Sequence, residues 1–196
     1  MYYVLDAGHG KCTKGKRSPD GQFLEYQFNR DIARRVGEEL RRLGISFSYT
    51  YNLDDEGDLR LSKRAEAANR IVRKIGSGNV LLISLHSNAM RQDGTWSCAS
   101  GYEIYTTKGQ TQSDKYARVF EEEAKKVCAK YGRKYRGLRE ENFTVIYMTI
   151  CPSLLLEQFF YDNKEELKFL QSEEGKNACV EVIINAIQRI EKEGVR

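Results

Sequence analysis

The chain holds two histidines, His9 and His86. Each follows a short apolar run: His9 comes after Tyr2–Leu5, between Gly8 and Gly10, and His86 closes Val80–Leu85. In open α/β sheets, ligands bind beyond the carboxyl ends of the strands. Two imidazoles at two strand tips are therefore placed to converge on one site, and the flanking glycines leave room beside them. Paired imidazoles suit a metal ion, and a catalytic metal site takes a third protein ligand while keeping one position open. Glu25, after a polar loop at the first turn of a helical segment, is the best-placed third donor. A carboxylate there is equally explained as a charge answering the helix dipole, and both readings stand at this point.

Glu157 is a different case. It ends the run Leu154–Leu155–Leu156 and is followed by Gln158, Phe159, Phe160 and Tyr161. A carboxylate in such surroundings must be paired, lie beside a metal or be protonated. A raised pKa there would suit a general acid–base, whereas the bland alternative is a buried ion pair with an arginine. Asp6 reads first as a turn residue at a strand end, and second as a group orienting a histidine.

The elements that must position these groups alternate along the chain. Apolar runs predict strands at Tyr2–Leu5, Ile45–Tyr49, Val80–Leu85, Tyr102–Thr106, Phe143–Tyr147 and Ser153–Leu156. Three- and four-residue apolar spacing predicts helices at Tyr26–Leu43, with Gly44 as its stop, Arg60–Ile75 and Ser113–Tyr131. Asn163 with Glu166 has the form of a capping box for a short helix to Leu170, and Ser172 opens the last helix. This alternation predicts one α/β domain over residues 1–196, with a central, mostly parallel twisted sheet and helices on both faces.

Composition narrows the function classes. The net charge of +4 is mild, and acidic runs at 54–58 and 121–123 break the field of the basic clusters at Lys11–Arg17 and Arg133–Arg139. A solvated surface is the reading, and nucleic acid is not an expected partner. The five cysteines are scattered without a CxxC pair, which predicts reduced, mostly structural thiols and folding in a cytoplasm. Residues 1–10 carry no positive n-region, and no run of about 18 apolar residues exists, so neither an export signal nor a membrane span is expected.

Six segments then combine: LDAGHG at 5–10, Glu25 with NRDIARRVGEEL at 29–40, RAEAANR at 64–70, ISLHSNA at 83–89, GYEIY at 101–105 and LLLEQFFYDN at 154–163. In this order they resemble the zinc N-acetylmuramoyl-L-alanine amidases of the third amidase family. The resemblance implies one Zn²⁺ per chain held by His9, Glu25 and His86, with Glu157 as the catalytic glutamate. It also implies an α/β fold, peptidoglycan as the partner and cleavage of the lactyl–L-alanine amide. Lys11 and QFFYDN stand where that family often has a second glycine and a GF-I-S-N string, so a groove of different shape is expected.

Under that reading Glu157 takes a proton from the attacking water and returns it to the departing nitrogen. Asn88 and Arg136 are candidates to bind substrate by steadying the oxyanion, against ordinary roles as a loop cap and a surface cation. Trp96, in the polar loop after His86, is the aromatic to test against a sugar ring. A monomer with the habit of a phage endolysin, or a trimmed host enzyme acting on the cell wall, fits the whole. A zinc peptidase cutting within the stem peptide and a non-catalytic wall-binding module are the competing classes.

Overall fold

A computed structural model describes residues 1–91 and 93–195; Gln92, in the Trp96 loop, lies outside the described residues. Six strands form one sheet in the order β2-β1-β3-β6-β4-β5. They are β1 (Tyr2–Ala7), β2 (Phe47–Tyr49), β3 (Val80–Asn88), β4 (Tyr102–Thr106), β5 (Tyr135–Glu140) and β6 (Ser153–Phe160). Every neighbouring pair is parallel except β4 with β6. The helices are α1 (Glu25–Arg42), α2 (Leu61–Ile75), α3 (Ser113–Lys130), α4 (Thr144–Tyr147), α5 (Lys164–Gln171) and α6 (Glu173–Glu193). The predicted α/β class with a mostly parallel sheet between helices is the fold observed.

One expected strand is absent, and one strand of the sheet was not expected. Phe143–Tyr147 is not a strand: Tyr147 N and Met148 N donate back to Phe143 O and Thr144 O, closing the single turn of α4. Its apolar run packs Val145 and Ile146 under the sheet by helical turns, and a run of five residues leaves period too short to separate the two. The sixth strand is instead β5, in the basic cluster. It is an edge strand with charged side chains, so no apolar pattern announces it.

Side-chain alternation divides the sheet into two unequal faces. Tyr3, Leu5, Leu81, Ile83, Leu85, Ile104, Leu154 and Leu156 face the large core under α1, α3, α5 and α6. Val4, Leu82 and Leu155 face a smaller core under α2 and α4. By the same count of two, Asp6, His86, Glu103 and Glu157 all belong to the smaller face. That face is covered by two helices of which one is a single turn, so part of it stays open.

The ends of the helices are closed by short-range chemistry. After α1, Gly44 is left-handed (φ 69°) and its N–H, with that of Ile45, returns to Arg41 O and Leu40 O. Ser172 Oγ accepts Gly175 N to start α6. Asn163 Oδ1 accepts the N–H groups of Glu165 and Glu166, but the capping box is only half present. The Glu166 side chain turns away and accepts Gly101 N and Phe160 N, both at 2.8 Å, joining the start of β4 to the end of β6. Burial pushes the Glu166 carboxyl up to about 7, against the lowering pull of those two N–H groups.

The sign of the resulting pH dependence follows directly. A carboxyl that holds its proton more tightly when folded favours the fold below its ordinary pKa of 4.5, and that contribution disappears as pH rises through about 7. Wild type should therefore lose stability relative to Glu166→Gln between about pH 4.5 and pH 7, by at most roughly 3 kcal/mol. Denaturation midpoints of the two proteins measured across that range test this, and a difference independent of pH would contradict it.

Candidate metal centre

Three donors meet at the tips of β1 and β3. His9 Nε2 lies 3.1 Å from His86 Nδ1. Glu25 Oε1 lies 3.3 Å from His9 Nε2 and 3.2 Å from His86 Nδ1. Ligand atoms placed ~2.0–2.1 Å from a tetrahedral centre stand roughly 3.3 Å from one another, so these edges fit a small divalent cation. Among the described residues, His9, Glu25 and His86 form a cluster able to hold a metal, with donor atoms within 4.8 Å of one another.

Each donor is placed by the backbone around it. Glu25 is the first residue of α1 and wholly buried, yet its side chain makes no cap at the helix start; Oε1 accepts Ser87 N at 3.2 Å, and among the described residues Oε2 has no hydrogen-bond partner. A buried, half-satisfied carboxylate facing two imidazoles is the arrangement a cation completes. Burial alone would push Glu25 up, but hydrogen bonds from His86 and His9 outweigh it and hold it well below the usual carboxylate range. Burial pushes the His9 imidazole down, toward the neutral form that a metal requires. Gly8 is needed for close approach: a Cβ there would lie 2.2 Å from the His86 ring.

His9 itself is left-handed (φ 66°), a conformation that costs a non-glycine residue of order 1 kcal/mol or more. Arg64, from α2, holds it there. Its guanidinium is fully buried and donates to Leu59 O (2.9 Å), Ala7 O and His9 O (2.9 Å), and it pairs with Asp6 (3.2 Å) and Asp58 (3.3 Å). Asp6 in turn accepts Thr50 Oγ1 at 2.6 Å and Ser84 Oγ at 2.7 Å. Asp6 thus acts on the site through Arg64 and the His9 backbone, not on an imidazole. Tyr51 Oη and Asn29 Nδ2 donate to Ala7 O and Gly8 O, completing the grip on the turn.

Glu157 pairs with His86 across β3–β6 and with Glu103 across β6–β4, so the three side chains form one row on the open face. Burial, then the charges of Glu25 and Glu103, push the Glu157 carboxyl well above its usual range. Among the described residues it has no arginine partner; the arginines belong to Glu103, which takes Arg136 Nε at 2.6 Å, Arg139 at 3.2 Å, Asn88 Nδ2 at 2.8 Å and Tyr105 Oη at 3.1 Å. Asn88 and Arg136 therefore stand beside Glu157 through Glu103, and neither lines the cavity at the metal centre. That cavity, about 290 Å³, is lined by His9, His86, Glu157 and Lys16 together with Leu61, Phe143, Val145 and Leu155 and the polar Asn142 and Thr144.

The remaining sequence candidates fall elsewhere. Trp96 lines a separate shallow cavity with Asp20, and Lys164 lies 5.3 Å over its ring. The cysteines are free, with Cys12 and Cys98 exposed and the others buried. No described helix is long and apolar enough to cross a membrane. Arg64, Glu103 and Lys16 were not singled out from sequence. The first two carry charges at spacings ordinary for solvated helix and strand faces, and Lys16 lies in a run that reads as surface.

Fold and donors together define the class: a three-layer α/β domain with a candidate metal centre of the hydrolytic type. The profile of the N-acetylmuramoyl-L-alanine amidase family matches residues 4–189, and the chain belongs to that family. It is 27% identical over 183 residues to the endolysin of Bacillus phage SPP1, covering 90% of this chain and 61% of that protein. It is also 27% identical over 186 residues to the N-acetylmuramoyl-L-alanine amidase LytC of Bacillus subtilis strain 168, covering 91% and 33%. The chain spans less than two thirds of the length of either. The catalytic domain of CwlV, an N-acetylmuramoyl-L-alanine amidase from Bacillus (Paenibacillus) polymyxa var. colistinus, aligns with a TM-score of 0.80 at 26% identity, over 100% of this chain and 99% of that domain.

The clamp on His9 is open to direct measurement. Arg64→Met leaves Asp6 buried without its cation, a loss expected to cost about 3–5 kcal/mol. Denaturant unfolding should show this as a lower midpoint with unchanged slope. A cost under about 1 kcal/mol would mean that the buried pair does not hold the β1 tip.

Proposed function

We propose that this protein hydrolyses the amide between the lactyl group of N-acetylmuramic acid and L-alanine in peptidoglycan, acting at the cell wall with one zinc ion per chain. The observation that carries this reading is the convergence of His9, Glu25 and His86, with Glu157 next to His86 in the adjoining strand. The donor set, two imidazoles and one carboxylate, is the set that leaves a catalytic zinc a free position. When bound there, zinc supplies Lewis-acid polarisation of the scissile carbonyl and activation of the attacking water. All three donors come from one chain, which supports a monomer as the working unit.

The protein's own residues supply the rest. Glu157 accepts the proton of the attacking water and passes it to the nitrogen of the departing L-alanine. Part of its raised pKa comes from the charge of Glu25, which a bound cation offsets. Leu61, Phe143, Val145 and Leu155, beside Asn142 and Thr144 in the cavity lining, offer hydrocarbon to the methyl groups of the substrate. Asn88 and Arg136 contribute by fixing Glu103, and with it the charge that Glu157 feels.

Two outcomes test the assignment. Elemental analysis should find about one zinc per wild-type chain, and His9→Ala or His86→Ala should each lose most of it; full occupancy in the double variant would remove the centre. Glu157→Gln should fold and keep its zinc while turnover on purified peptidoglycan falls by roughly 10²- to 10⁴-fold. Mass spectrometry of the digest should show new L-alanine amino termini and intact lactyl groups. Cleavage between stem-peptide residues would instead make the protein a peptidase, and zinc loss in Glu157→Gln would make Glu157 a ligand.

A further inference from the structure

Lys16 is the one cation among the described residues lining the cavity of the metal centre. Its backbone is fixed, because Lys16 O accepts Glu25 N and the loop returns through Ser18 and Phe23 to the start of α1. Its ammonium is 3.9 Å from Glu25 Oε2, at the outer limit of an ion pair. An ammonium has three donors, so this one has capacity to spare. Its side chain is 39% exposed, hence open to the cavity and not sealed beneath it. The rest of the lining mixes Leu61, Phe143, Val145 and Leu155 with the uncharged polar Asn142 and Thr144. A ligand lying across the metal centre therefore meets one lysine charge among apolar and uncharged polar side chains.

We infer that Lys16 is a specificity residue that binds a carboxylate of the stem peptide, on the L-alanine side of the scissile amide. The inference rests on the amidase reading given above. In peptidoglycan the residue after L-alanine is a D-glutamate joined through its γ-carboxyl, and its α-carboxyl is either free or amidated. Consecutive α-carbons lie ~3.8 Å apart, so that group is the first anionic group beyond the bond that breaks. The flexible stem of a lysine reaches a carboxylate at this range as a compact charge, without the fixed geometry an arginine fork imposes. An amide in the same place offers an oxygen but no charge, so Lys16 distinguishes the two forms.

The test compares two soluble substrates, N-acetylmuramyl-L-alanyl-D-isoglutamate and its D-isoglutamine counterpart, as kcat/KM on the zinc-loaded protein. Wild type should favour the free acid about fivefold, mostly through KM, and the preference should shrink as salt is raised. Lys16→Gln should bring the ratio to about one, and Lys16→Arg should keep most of it. Calorimetric binding of both compounds to Glu157→Gln, with and without Lys16→Gln, reads the same discrimination without turnover.

A wild-type ratio near one overturns the inference while leaving the amidase reading intact. An unchanged ratio in Lys16→Gln, with both substrates slowed alike or zinc lost, also overturns it and assigns Lys16 to Glu25 or to the oxyanion. Failure of wild type to cleave either compound or whole peptidoglycan overturns the amidase reading itself, and the inference with it.

Discussion

The buried charge of Arg64 is the constraint on which the site depends. A guanidinium with no solvent exposure must find all its acceptors within the protein, and here they are Asp6, Asp58 and the carbonyls of Leu59, Ala7 and His9. Meeting that demand ties α2 to the tip of β1 and keeps His9 in a left-handed turn it would not adopt alone. Asp6 is fixed in turn by Thr50 after β2 and Ser84 of β3, so three adjacent strands and one helix share a single polar knot. The imidazole of His9 is positioned as a by-product of satisfying a charge.

The second constraint is the inequality of the two sheet faces. α1, α3, α5 and α6 cover one face and build the large core, whereas α2 and the single turn of α4 cover the other. Residues of the less covered face are the ones able to meet a substrate, and strand alternation puts His86, Glu157 and Glu103 there together. Stability and chemistry are thus divided between faces of the same strands. Leu154 and Leu156 hold the large core while Glu157, one residue on, faces the cavity.

Within the row of carboxylates, the protein gives its cations unevenly. Glu103 receives Arg136, Arg139, Asn88 and Tyr105, whereas the charges acting on Glu157 come from Glu25 and Glu103 with only Lys16 opposing them. Glu157 is thereby the carboxyl pushed toward holding a proton, the property a proton carrier needs. The antiparallel pairing of β4 with β6 places Glu103 directly opposite Glu157.

The alternation of strands and helices, the two histidines at strand tips and the anomalous Glu157 were legible in the sequence, because each is a matter of local pattern. Period two or 3.6 marks an element, and a charge within an apolar run is visible wherever it occurs. α1 to α3 and five of the strands follow from that alone. Other features were decided only when the chain closed. The same apolar string, Phe143–Tyr147, fits a strand or a turn of helix, and its packing under β6 selects the helix. β5 is a polar edge held by backbone pairing to β4, which side-chain pattern does not encode. Glu25 reads from sequence as helix charge or metal donor, and tertiary structure brings it to the histidines by folding the start of α1 over the tips of β1 and β3. Arg64, Glu103 and Lys16 are ordinary charges in the sequence. Their importance comes from burial and from partners up to 58 residues away, and a partner at that separation is fixed by topology rather than by local spacing.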